Sequence, residues 1–352
     1  MTWLTWRQFR PQAVTALVAL AAFAILLGAT GPHLASMYRG SGITGCRSGA
    51  CGQLAGNFLL ALSGAYTVVF MLGIACVILA PAVIGVFWGA PLVAREFETG
   101  TFRLVWTQSV TRSRWMAGKL AVLGLAAIAV TEALSLLYGW WAAPIGQAAR
   151  LAPGSNFPLG MSPFSLLAFD AHGIVPIGYA AFGFTLGVTA GVLIRRALPA
   201  MAVTLVIFAA VQVAVPLAVR PNLFPPERAT QSLAANFSGQ QQVGPGGKFS
   251  LTVDRLDSQP GAWIFSSHAV NAAGQPVSII PAACKSAVPG VSGPGGSPEL
   301  GNCLANHGIR VAVSYQPAGS YWPLQWAETG MFLAIALALA WYCFWRLNRR
   351  RS

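Results

Sequence analysis

The densest cluster of ionisable side chains is Arg95-Glu96-Phe97-Glu98-Thr99-Gly100-Thr101-Phe102-Arg103, followed by Arg112, Arg114 and Lys119. Carboxylates and guanidiniums this close together suit ion pairing and the docking of a charged partner surface. They form no metal or nucleophile pattern. Glu132 stands apart, midway along an apolar run, where an ionised carboxylate costs at least about 3 kcal/mol and must face a partner or a water-filled path. Two readings of it stand: Glu132 and Gln212 line a polar path, or a protonated Glu132 bonds to a neighbouring helix, through Gln212 for example. Asp170 and His172 read as solvated loop residues at an outer mouth. The chain contains no G-x-x-x-x-G-K-[ST], H-E-x-x-H, C-x-x-C or nucleophile-elbow pattern, so ATP hydrolysis and the familiar hydrolytic chemistries have no residues to run on. Four histidines are scattered without ligand spacing, and no metal is expected. Of six cysteines, Cys76 and Cys343 lie in apolar runs and read as small buried hydrophobes. Cys46 with Cys51, and Cys284 with Cys303, lie in polar segments where each pair can close as a disulfide on an oxidising side of a membrane.

These residues are positioned by a chain built for lipid. It is 55% hydrophobic and 9% charged over 352 residues, against roughly 25% charged in an ordinary soluble domain. A net charge of +13 invites a nucleic-acid reading, but the basic residues sit beside long apolar runs, where cations mark cytoplasmic helix ends. No nucleic-acid partner is expected. A bilayer core about 30 Å thick needs about 20 apolar helical residues, which predicts six spans. They run about 12–29, 58–79 with a kink at Pro81 and a continuation to Ala94, 115–141, 172–194, 198–219 and 324–345. Thr30–Gly56 and 142–163 read as outer loops, and a re-entrant hairpin around Pro81 is the alternative for the second run. Arg7 and Arg10 before the first run also fit a signal peptide, but Pro11 and the lack of a small-x-small site argue for a retained span. Trp3 and Trp6 read as an interfacial segment or an irregular start. The fold class expected is an all-α polytopic membrane protein with both termini inside and a small β-containing external domain before the last helix. The divisions are 1–219 for spans one to five with a cytoplasmic loop at 95–119, 220–321 outside, and 322–352 for span six and a basic tail. Strands are predicted over Lys248–Arg255, Ala262–Val270 and Ile309–Tyr315. Gly183, Gly187 and Gly191 repeat G-x-x-x-G on the fourth span, a helix-packing spacing in the first instance and a hinge in the second.

The loop 95–119, with Glu96 and Glu98 before Gly100-Thr101 and then Gln108, Arg112, Arg114, Trp115 and Lys119 leading into a span, resembles the corresponding loop of ABC-2 type transporter permeases of actinobacterial type. The six-span layout with a larger outer segment before the last span is similar too. The resemblance implies an exporter subunit in the cell membrane that is not itself an enzyme. It would work with a separate ABC ATPase and a second permease copy, in a homodimer, with ATP and magnesium on the ATPase and no cofactor of its own. It implies that Glu96, Glu98, Gly100, Thr101 and Arg103 contact the ATPase. Efflux of a hydrophobic or amphipathic drug, peptide or lipid-like substrate by alternating access follows as the expected activity. Read from the residues alone, the loop is either a lever joining two spans or a solvated basic turn.

Two other classes of function fit less of the chain. An ion-coupled secondary transporter would use Glu132 but needs broken helices in matching halves, and only Pro81 offers a break. A membrane-anchored sensor or assembly protein would act through the external domain.

Overall fold

A computed structural model of the chain describes residues 2–46, 51–62, 64–99, 112–152, 158–233, 239–243, 248–253, 256, 259, 261–287 and 298–349. Six helical segments are long and apolar enough to cross a membrane: Arg10–Gly40, Ala65–Glu98, Met116–Leu151, Val175–Ile194, Ala197–Asn222 and Ala318–Arg346. Large apolar side chains stand exposed on all six, among them Leu17 at 60%, Val68 at 65%, Leu125 at 67%, Val206 at 68% and Leu337 at 72%. A surface of this kind is stable against hydrocarbon and not against water.

Helix α1 (Thr2–Gly40) is 39 residues long, about 58 Å at 1.5 Å per residue, so its last turns project beyond the bilayer core. The expected loop from Thr30 is therefore helical for ten more residues. Pro32 lies within it, removing one backbone bond, while Trp141 Nε1 donates to Thr30 Oγ1 at 2.9 Å and holds the segment to the third span. Helix α2 (Cys51–Ala61) is separate from α3 (Ala65–Ile84), because Gly64 takes a φ of +89° that ends one helix before the next begins. The second span thus starts at Ala65 rather than Phe58. It continues through a π-helical turn, Gly85–Gly89, into α4 (Ala90–Thr99). The interruption lies just beyond Pro81, which sits inside α3.

Helix α5 (Arg112–Leu151) runs ten residues past its expected end at Trp141. The short α6 (Leu166–Ala171) precedes α7 (Val175–Ile194), which turns at Arg195-Arg196 into α8 (Ala197–Ala214). A second π turn, Val215–Val219, carries Pro216 and finishes the fifth span. The fourth span is the axis of the bundle: 78% of its most apolar 18 residues are buried, against 11% for the first.

The segment between the fifth and sixth spans holds β1 (Glu227–Ser232), β2 (Gly239–Val243), β3 (Phe249–Val253), β4 (Trp263–Val270) and β5 (Arg310–Gln316), with helix α9 (Pro298–Asn306). An antiparallel sheet has the order β1-β5-β4, and β2 pairs with β3. Alternation turns Phe249, Leu251 and Val253 inward, onto a core shared with Val311, Val313, Leu300 and Leu304. The three expected strands are β3, β4 and β5. Strand β1, reading Glu-Arg-Ala-Thr-Gln-Ser, is a sheet edge with too little apolar signal to be seen in the sequence. The chain then enters α10 (Tyr321–Arg349), whose last turn carries Arg346 and Arg349.

Candidate functional site

At the basic end of the bundle, α4 is fastened to three other elements. Lys119 on α5, only 4% exposed, forms an ion pair with Glu96. Glu98 Oε1 accepts from the backbone N–H of Ala197 at 2.9 Å. That is the first residue of α8, where a carboxylate satisfies an orphan donor and meets the positive end of the helix dipole. Between them, the Arg195 guanidinium lies 5.4 Å from the centre of the Phe97 ring. Arg195 is the one non-glycine residue with positive φ (+59°) among those described. It closes α7 by donating its N–H to Gly191 O, an αL stop usually given to glycine. Glu96 and Glu98, expected to reach outward to a partner, thus have contacts within the chain. Gly100, Thr101 and Arg103 lie outside the described residues.

Above this latch, α7 and the second span meet backbone to backbone. A Cβ on Gly187 would stand 2.1 Å from Gly85 O, on Gly191 2.5 Å from Ala90 O, and on Gly183 2.7 Å from Pro81 O. Facing glycines do the same from the other side, Gly85 against Gly183 O at 2.4 Å and Gly89 against Phe184 O at 2.5 Å. No side chain fits between these helices. Packing is the role this geometry gives to Gly183, Gly187 and Gly191, and the sequence reading missed Gly85 and Gly89, which complete the seam from the π turn.

Glu132 lies on the border of an exposed stripe of α5 that runs through Val122, Leu125, Ala129, Leu136 and Trp140, positions three, four or seven apart on one helix face. Its Oε2 is buried without a hydrogen-bond partner. Gln212 is not that partner, because its Nε2 donates to Asp170 Oδ2 at 3.3 Å.

At the opposite end of the bundle stands a buried ion cluster that the sequence reading did not assemble. Arg220, 1% exposed, is drawn back into the bundle rather than opening the external domain. Its Nε donates to Glu328 Oε2 at 2.8 Å and its Nη2 to Glu328 Oε1 at 3.0 Å, a bidentate fork. The same Nη2 pairs with Asp170, and the guanidinium lies 4.1 Å over the Phe169 ring. Tyr179 OH donates to Glu328 Oε1 at 2.7 Å. Asp170 is therefore not a solvated loop residue. Helix α6 buries it at 1% exposure, and burial pushes its carboxyl up to about 6, although Arg220 pulls the other way. His172 accompanies it inside; burial lowers its imidazole, and the Ala168 carbonyl at 2.8 Å works against that. Gln325, one turn before Glu328, accepts from the N–H groups of Ile174 and Val175 at 3.0 Å each. It also donates to the carbonyls of Phe169 and His172, capping α7 from a different span. Glu328 could have been found by the reasoning applied to Glu132: it too is an acid inside an apolar run.

Both cysteine pairs are joined, Cys46 to Cys51 and Cys284 to Cys303, and Cys76 and Cys343 are free. His307 Nδ1 lies 3.7 Å from Cys284 Sγ and 3.9 Å from Cys303 Sγ. Sulfurs joined to each other are not thiolate ligands, so this trio is a stapled corner rather than a metal centre.

The side-chain contacts of the latch and of the ion cluster join helix ends that six alternating crossings place on the same side. Comparison with known families gives one finding. A family model described as ABC-2 membrane transporter related matches residues 17–220, more than half of the 352 residues. No curated protein and no solved structure matches the chain.

Proposed function

Because the chain belongs to the ABC-2 membrane transporter-related family, whose members are membrane components of ABC-type transporters, we propose that it is the permease subunit of an ATP-driven exporter in the cell membrane. The ATPase would be a separate polypeptide, carrying ATP and magnesium, and a second permease copy would complete the pathway. The observation that carries this reading is the latch on α4. Glu96, Phe97 and Glu98 tie the segment entering the 95–119 loop to Lys119 of the third span, Arg195 of the fourth and Ala197 of the fifth. A displacement imposed on the loop is thereby passed to four spans at once. Glu96 and Glu98 act as relays of that force, while Gly100, Thr101 and Arg103 are proposed to meet the ATPase itself.

The stripe of α5 bordered by Glu132 is proposed to face the second copy across the path. Lipid is a poor neighbour for a carboxyl group, and a water-filled cleft between two permeases is a good one. Hydrophobic or amphipathic molecules are the proposed cargo, moved outward by alternating access.

The test is affinity purification of the full chain from its own cells and a search of the co-purifying proteins for a Walker A ATPase, followed by E98Q in the same complex. Association is expected to persist in the variant. The ATP-dependent change in accessibility of a single cysteine placed at Leu166 is expected to fall severalfold. Absence of any complex refutes the assignment, and an undiminished response in E98Q refutes the relay.

A further inference from the structure

A cavity of about 710 Å³ opens at the outer end of the bundle, within the roughly 300–1,000 Å³ of small-ligand sites. Its wall follows α5 from Gly139 to Arg150 and is closed by Phe70, Leu159, Met161 and Phe164, with Tyr321 and Trp322 at the head of α10. Twelve residues of helix, eleven steps of 1.5 Å, make this wall about 16 Å long. Among the described residues the wall is apolar apart from Gln147, Arg150, His172 and the Tyr321 hydroxyl, and no carboxylate lines it. Burial holds His172 toward its neutral form, so the charge of the site is the single guanidinium of Arg150, an exposed side chain. Trp322 and Trp326, in the first turns of α10, are exposed at 55% and 66%. Exposed tryptophans at helix ends mark the headgroup level of a bilayer, which places the cavity where a lipid can enter it.

We infer that this cavity is a binding site for an outer-leaflet amphiphile with one apolar chain and an anionic carboxylate or phosphate head, the chain lying along α5 and the head paired with Arg150. The charge decides the class. A neutral lipid gains nothing from the guanidinium, a cationic one is repelled, and an anionic head finds a cation with no competing acid in the wall. The inference concerns binding and stands whether or not the occupant is the exported molecule.

The test uses the full chain in a neutral detergent with three probes of equal chain length: oleate, oleyl phosphate and oleyl alcohol, their retention read by native mass spectrometry. One or both anions are expected to be retained at least about tenfold better than the alcohol, the scale of one charge-assisted hydrogen bond. The arm that wins separates a carboxylate from a phosphate ligand. R150Q is expected to abolish the preference. Gly146 lines the cavity and has nothing within 4 Å of the position its Cβ would take, so G146F is expected to fill the space and remove binding of all three. Should that variant not match the parent's melting temperature, A143F, at another lining position, takes its place. Equal retention of oleyl alcohol, a preference unchanged in R150Q, or full binding in a folded cavity-filled variant would each overturn the inference.

Discussion

Without the guanidinium of Arg220, Asp170 and Glu328 would face each other in a site closed to water. Removing one member of a buried ion network typically costs about 3–5 kcal/mol because it strands the remaining charge, so R220Q is expected to lose stability on that scale. E328Q should lose less, since Arg220 keeps Asp170 and the neutral amide can still accept from Tyr179. Melting temperatures of the two variants in detergent decide the order. The cluster also has a pH signature. The native Asp170 carboxyl titrates at about 6, above its ordinary 3.8, so the native state binds this proton more tightly than the unfolded chain. Its contribution to stability is fully present below about pH 3.8 and is lost as pH rises through about 6. The parent should accordingly melt at a higher temperature near pH 4 than near pH 7 as far as this group governs, and D170N should flatten that difference. Glu132 is a separate case. E132L should leave the melting temperature unchanged or raise it, because it removes an unpaired buried oxygen. Transport should fall if the stripe lines the path.

Among the elements, the seam between α7 and the second span is the least tolerant. G187A would drive a methyl group to 2.1 Å from a backbone oxygen and is expected to cost about 1–3 kcal/mol, the range for overpacked sites. G28A, whose added Cβ meets nothing within 4 Å, should be neutral or gain about 0.5–1 kcal/mol from helix propensity. Thermal melts of the pair separate close packing from glycine content as such. The existence of the six crossings was legible because hydrocarbon admits only fully hydrogen-bonded apolar helix, which leaves a run of fixed minimum length in the chain. The helix ends were not. Beyond the bilayer, α1 and α5 persist through Pro32 and Pro144 by packing against each other, as Thr30 and Trp141 show, and tertiary support leaves no local mark. The fourth-span glycines were visible through their spacing, whereas Gly85 and Gly89 acquire their role from the π turn that aligns them. The outer cluster joins residues 50 and 108 positions apart, a proximity no local pattern encodes.

At the scale of the whole molecule, the latch at one end and the ion cluster at the other clamp the same central helix. Glu98, Phe97 and Arg195 bind α4 to the turn that ends α7. Gln325 and Tyr179 bind the start of α7 to α10. Spans two to six are joined into one stiff body, Lys119 bringing in the third, and the first, with 11% of its most apolar 18 residues buried, rides at its edge. Motion driven from the cytoplasm is then expected to be a tilt of that body rather than a bending of single helices. Spin labels at Leu205 and Leu337, both lipid-exposed, should keep their mutual distance when nucleotide is added to the assembled complex.

The two sulfur bridges divide the six cysteines by place in the fold, four closed in segments between the crossings and two free within them. Their sum is a record of biogenesis. A denatured but unreduced chain should take up two maleimide-polymer tags, and a reduced one six. A nascent molecule halted before its large outer segment crosses would retain extra reactive sulfur, so tag number would time the export of that segment during synthesis.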